Sequence, residues 1–379
     1  MDDAERASAR ASSSADFLEF SFSLKVDSSP WSVEQSMTQL LAHESAEGFA
    51  LSLAVSVQED ARVIHELGRR KTPTALAALR GFQAMSTIDT QRELARMNGD
   101  RLAESGIPEP PWTSTIGRVR VDRCWWAHDQ FDETAIVLFA FSYDGEDEHA
   151  ILAMIDRVVG DGLFRELTLS EHLDSLLEVL RYADEGDEGL VSEPLDPAYG
   201  RRLLEDAIVT SDELSEDREY KPRPVPAAYR KMRALTLARA RALSDVVAPP
   251  EPFPSSVEIE LLKRTFLTSG AATGLPATDV TSRAVDLLVT QFTDQAAGHP
   301  LHLGPRRVLA VLGSLPALTP GYVDDPDVAR ILPDVAEAWI SWTATERGLS
   351  DDATERLERA TKQACAQLRS ARPEDHETT

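Results

Sequence analysis

The chain has 379 residues, 42% hydrophobic and 27% charged, with a formal net charge of −25. This is ordinary globular composition, long enough for two or three domains, and the two cysteines, Cys124 and Cys365, lie too far apart to suggest a disulfide framework. A surface this acidic repels phosphate backbones and anionic lipid, no apolar run approaches the roughly 18–20 residues of a membrane span, and the polar, acid-containing start is unlike a secretory leader, so nucleic acid and membrane are disfavoured. The expectation is a cytoplasmic protein whose partner is another protein; a sharper reading of the charge is a surface for a basic partner, or mimicry of nucleic acid.

In chain order, 1–16 is rich in Ala and Ser and reads as a tail, and 17–26 alternates loosely, as a further strand would. Trp31 precedes Ser32-Val-Glu-Gln35, whose capping-box spacing predicts a helix to about His43. Phe49, Leu53, Val57, Ala61, Ile64 and Leu67 form a helical stripe that outlasts a strand-like alternation at 49–57, so a helix is expected to end near Gly68. Thr72-Pro73 opens a helix through Met85, another spans 92–104, and a proline-rich stretch at 106–111 leads into the sheet.

The sheet is predicted over 119–169. Residues 119–126 are β-branched and aromatic, 134–143 are almost continuously apolar, 149–156 return, and 163–169 alternate like a half-buried edge. Short turns join them as a four-stranded antiparallel meander. Ser170 then caps a helix carrying Leu173, Leu176, Leu177 and Leu180, 184–188 is an acidic loop, and 196–210 is helical. Residues 227–243 form a helix with Arg230, Lys231, Arg233, Arg239 and Arg241 and no acid: either a phosphate-contacting face or a helix laid against an acidic body.

Ser255-Ser-Val-Glu258 has capping-box spacing after the proline-dense 248–254. Helices are expected from there, at 279–296 and 306–315, after Asp325-Pro326, and at 333–347 with Trp339 and Trp342 in the core and a glycine cap at Gly348. Ser350 caps the last helix, with Leu357, Ala360, Ala364 and Leu368 inward.

No phosphate-binding loop, dinucleotide fingerprint, nucleophile elbow, zinc-protease helix or paired CxxC is present, and no cofactor or metal is assigned. The densest polar group is Trp125, Trp126, His128, Asp129, Asp132 and Glu133 on the first strand and its exit, with His149 and Asp156 on the third. Asp129, Asp132, His149 and Asp156 are the catalytic candidates, because a meander could gather a histidine and carboxylates on one face for a divalent metal or acid–base work. The plainer reading packs Trp125 and Trp126 into opposite layers and leaves the acids to solvate a loop. Trp125, Trp126, Arg230, Arg233 and Arg239 are the binding candidates, and His299 with His302 is an i, i+3 pair lacking a third ligand nearby.

At Ser105-Gly-Ile-Pro-Glu-Pro-Pro-Trp112, Cys124-Trp-Trp-Ala-His-Asp-Gln-Phe131, Phe139-Ala-Phe-Ser-Tyr143 and 149–156, the chain resembles a family of uncharacterised actinobacterial proteins. The C-terminal portion, through Pro300-Leu-His-Leu-Gly-Pro-Arg-Arg-Val308, Leu332-Pro-Asp-Val-Ala-Glu-Ala-Trp-Ile340 and Arg347-Gly-Leu349, is similar to a helical module common in the same bacteria. That family has no assigned reaction, so the resemblance implies no catalytic residue, and Leu312-Gly-Ser-Leu-Pro316 departs from the bulky run expected there.

The resulting expectation is an α+β fold: a tail at 1–16, an α+β domain at 17–247 around the four-stranded meander, a linker at 248–254, an all-helical domain at 255–372 and a tail at 373–379. The leading function is a non-catalytic interaction or regulatory protein. The alternatives are a metal-dependent hydrolase or transferase using the Asp/His group, and a nucleic-acid-associated protein using the helix at 227–243.

Overall fold

A computed structural model describes residues 28–42, 61–158, 162–185, 189–216, 225–243, 254–295, 299–318 and 325–370. The expected tails, the strand at 17–26 and most of the 248–254 linker lie outside them. The N-terminal helices are α1 (Pro30–Leu41), a helical segment α2 (61–69), α3 (Pro73–Met85) and α4 (Asp89–Glu104). Helix α1 starts earlier than expected. Proline at its first position fixes φ, and Ser29 accepts the Ser32 N–H, so Ser32 lies inside the helix and not at its cap. The Thr72-Pro73 start of α3 is as expected, with Thr72 accepting from Ala75 N.

The fold is α+β. Strands β1 (Arg120–Asp129), β2 (Thr134–Tyr143), β3 (Glu146–Asp156) and β4 (Leu163–Ser170) form the antiparallel meander, and a fifth strand, β5 (Leu190–Pro194), adds to the outer edge of β1 in the order β4-β3-β2-β1-β5. The four-strand expectation is therefore one short. β5 offers only Leu190 and Val191 as apolar residues, between an acidic loop and a helix, too little alternation to show as a strand. Helix α5 (Leu173–Glu185) crosses the sheet between β4 and β5. It begins beyond the expected Ser170 cap, because β4 runs on through Ser170, whose hydroxyl accepts from His172 N in the connecting turn.

Strand alternation gives the sheet two apolar faces. On one, Val137, Phe139, Phe141 and Tyr143 of β2 and Ile151, Ala153 and Ile155 of β3 join a core with α1 to α4, α6 (Pro197–Glu216) and α7 (Ala227–Ala242). On the other, Ile136, Leu138, Ala140 and Leu152 meet Leu176 and Leu180 of α5. Burial on both faces explains why β2 reads as an unbroken apolar run.

The C-terminal helices are α8 (Ser256–Thr268), α9 (Asp279–Gln295), α10 (Pro305–Leu318), α11 (Pro326–Glu346) and α12 (Asp351–Ser370), sharing a core around Phe266, Trp339, Trp342 and Leu357. The Ser255–Glu258 capping box is present. Helix α11 is one element where two were expected: Pro333 does not break it, since Leu332, Pro333, Val335 and Trp339 are all buried and packing holds the axis through the proline. Gly348 (φ +61°) ends it, with Leu349 N donating to Ala344 O, and Ser350 accepts from Ala353 N at the start of α12. No helix among the described residues is long and apolar enough to cross a membrane.

Candidate functional site: a groove at the end of the sheet

Two strand irregularities shape one end of the sheet. The register of β1 against β2 slips between Val121 and Arg123, making Asp122 the extra residue, and that of β2 against β3 slips between Phe141 and Tyr143 next to the hairpin. Such bulges re-aim neighbouring side chains. Here Asp122 and Arg123 are both exposed, and with Glu148 and the residues leading into α5 they border a groove of about 780 Å³. Leu173 and the edges of the buried Ala140 and Phe141 line it together with His149, His172 and Ser175. Its rim carries four carboxylates, Asp122, Glu148, Glu171 and Asp174, against one guanidinium, Arg123, which lies over the Trp125 ring. The adjoining hairpin adds exposed Asp144, Glu146 and Asp147.

From the rim a line of polar contacts runs into the core. Trp31 Nε1 donates to Glu171 Oε1 at 2.7 Å, and the indole stacks on the His149 ring with centroids 4.1 Å apart. His149 Nδ1 lies 2.8 Å from the Asp147 carbonyl, which can only accept, so that nitrogen carries the proton and Nε2 accepts from Arg239 Nε at 2.9 Å. Arg239 Nη2 donates to the Tyr143 hydroxyl at 3.0 Å and pairs with Glu34 Oε2 at 2.6 Å; Glu34 Oε1 accepts from Gly117 N at 2.7 Å. Arg239 is 1% exposed and Glu34 fully buried, so the ion pair is closed off from water, with His149, Tyr143 and the Gly117 N–H bonded around it. Trp31, Phe141 and Tyr143 also present their rings to the guanidinium. Burial and the Arg239 charge lower the His149 pKa to about 4, and burial raises the Tyr143 hydroxyl well above the ordinary phenol range.

The sequence-selected catalytic residues are not gathered. His149 sits at the groove end of β3, while Asp156 ends the same strand at the far side, beside Asp129 and Asp132. There Glu133 and Asp156 bind the start of α10, while Asp129 and Asp132 are bonded within the loop and to Arg157. Asp129 Oδ1 accepts from Phe131 N and Glu133 N, folding the β1–β2 loop, and Phe131 at its tip is buried in the C-terminal core. Glu133, 2% exposed, accepts from Arg306 N at 3.0 Å and Arg307 N at 2.6 Å, supplying the cap at the start of α10. Asp156 pairs with Arg165 and Arg306, and Asp132 (φ +60°) with Arg157. No cluster of three metal-ligating side chains exists among the described residues.

The tryptophans do lie in opposite layers: Trp125 against the α5 side, and Trp126 against the larger core, stacked on His128 and bonded to Glu193. On α7, Arg230 is exposed, but Arg233 is held by Asp212, Arg241 by the Ser86 and Thr87 carbonyls, and Arg239 by the buried network. The helix thus lies against the acidic body. Cys124 and Cys365 are buried, and burial pushes both thiols up to about 12. Sequence reasoning missed Trp31, Glu34, Glu171 and the role of Arg239 as an internal charge. A signal existed: Glu34 falls at the helical phase of Trp31, Met37 and Thr38, and Arg239 at that of Tyr229 and Thr236.

The fold therefore presents an α+β scaffold with an acidic groove backed by a sealed ion pair. No protein-family model, curated protein or solved structure matches the chain.

Proposed function

We propose that the chain is a non-catalytic interaction protein whose groove receives an arginine- or lysine-bearing segment of a partner protein. The observation that carries this reading is the groove itself: Leu173 with the edges of Ala140 and Phe141 beside an aliphatic stem, rimmed by four carboxylates and one guanidinium, on a chain of net charge −25. Long cationic side chains have that amphipathic form. Support also comes from the residues that catalysis would have used. Glu133 and Asp156 hold the start of α10, Asp129 folds the β1–β2 loop, Asp132 pairs with Arg157, and both ring nitrogens of His149 are bonded internally.

The test is titration of the protein with an arginine- and lysine-rich peptide by calorimetry, against a glutamate-rich control. Saturable binding that weakens steeply with salt, and is lost in Glu148→Lys with Asp174→Lys, supports the reading. Undiminished binding by that double variant overturns it, as does equal occupancy by spermine or calcium alone, which would make the ligand a small cation and not a protein segment.

A further inference from the structure

Resting on that reading, we propose that Glu171 is the anion that seats the partner's cation and that Trp31 is the residue that positions it. Trp31 is 5% exposed and belongs to α1, whereas Glu171 is exposed at the groove rim, so their hydrogen bond joins a fixed interior group to a surface carboxylate. A free glutamate on such a rim samples several rotamers, and ordering it on binding opposes affinity. Here the order exists beforehand. The indole stacks on His149, and the Arg239 guanidinium bonded to that ring lies 5.7 Å from the indole centroid.

A carboxylate accepts through two oxygens, and the indole occupies only Oε1. Among the described residues nothing bonds Glu171 Oε2, so a guanidinium or ammonium can bind there without displacing the indole. The coupling between groove and α1 is consequently positive: an occupied groove holds α1 more firmly, and a well-seated α1 holds a readier groove. Asp122, by contrast, is paired with Arg120, and Asp174 lies in the first turn of α5, where it complements the helix N-terminus. Glu171 is the rim carboxylate with a built support behind it.

The experiment is a double-mutant cycle read by peptide affinity, using the same arginine- and lysine-rich peptide. Glu171→Gln should weaken binding about tenfold and Trp31→Phe, which keeps a ring against His149, about fivefold. The double variant should bind no worse than Glu171→Gln alone, because Trp31 acts only through Glu171. Losses that multiply, or a Trp31→Phe protein that binds like the wild type, overturn the positioning role. In the unaltered protein the Trp31 indole N–H resonance should move saturably along the same titration, and a resonance that stays still while peptide binds overturns the inference without reference to any variant. Peptide binding that Glu171→Gln leaves intact, but Glu148→Lys with Asp174→Lys abolishes, rejects the Glu171 seat and keeps the proposed function. Absence of peptide binding to the wild type rejects both.

Discussion

His149 shows how one buried ring ties stability to acidity. In the folded protein its pKa is lowered to about 4 by burial and by Arg239, whereas in the unfolded chain it returns to about 6.5. Between those values the unfolded state binds the extra proton, so the contribution is fully present above pH 6.5 and is lost as pH falls through 6.5 toward 4. The neighbours Glu34 and Glu171 favour protonation and are outweighed. The shift corresponds to about 3 kcal/mol at neutral pH. Unfolding free energies from denaturant titrations at pH 7 and pH 4.5 should therefore diverge in the wild type and converge in His149→Gln; an equal pH slope in that variant refutes the assignment. Arg239 is the complementary case. Arg239→Met leaves Glu34 buried without its cation and should lower stability by about 3–5 kcal/mol, measured in the same way. Both residues stood out in sequence for other roles, His149 for catalysis and Arg239 for binding. Their internal role was not legible, because a core charge is recognisable only once its opposite charge, for Arg239 more than two hundred residues away at Glu34, is seen beside it.

The element most dependent on a distant partner is α10. Its first turn lacks an N-cap of its own and borrows the Glu133 carboxylate, and Gly304 sits close beneath: a Cβ there would lie 2.7 Å from Glu133 Cγ and closer still to the carboxylate. Gly304→Ala and Glu133→Ala should each lower the unfolding free energy by about 2 kcal/mol, and together by clearly less than the sum, since both disrupt one contact. Additive losses would mean that the two act separately. The elements themselves were largely legible. The meander showed through its uninterrupted apolar β2 and polar turns, and α3, α8 and α12 through caps written in adjacent residues, Thr72, Ser255 and Ser350. What escaped was set by tertiary packing. β5 exists because an open edge of β1 receives it, α11 continues through Pro333 because both sides of that turn are buried, and Glu133 is a capping group only when α10 stands over it. The groove was invisible for a related reason. Bulges bring Asp122, Glu148 and Glu171 together from three separate segments, and no spacing along the chain encodes that.

For the whole molecule, a net charge of −25 sets two responses to salt with opposite signs. Mutual repulsion over the surface loosens the folded state at low ionic strength, so the melting temperature should rise between about 0.01 M and about 0.15 M salt, while peptide affinity at the groove should fall over the same range. A melting temperature that drops with added salt would show that attractive pairs outweigh the excess negative charge. The cap on α10 has a further consequence, for the order in which the chain matures. Glu133 precedes Arg307 by 174 positions, so during synthesis the hairpin that presents the carboxylate emerges long before the helix that needs it. The sheet can thus serve as a template, and the start of α10 is complete only once it meets the Glu133 carboxylate.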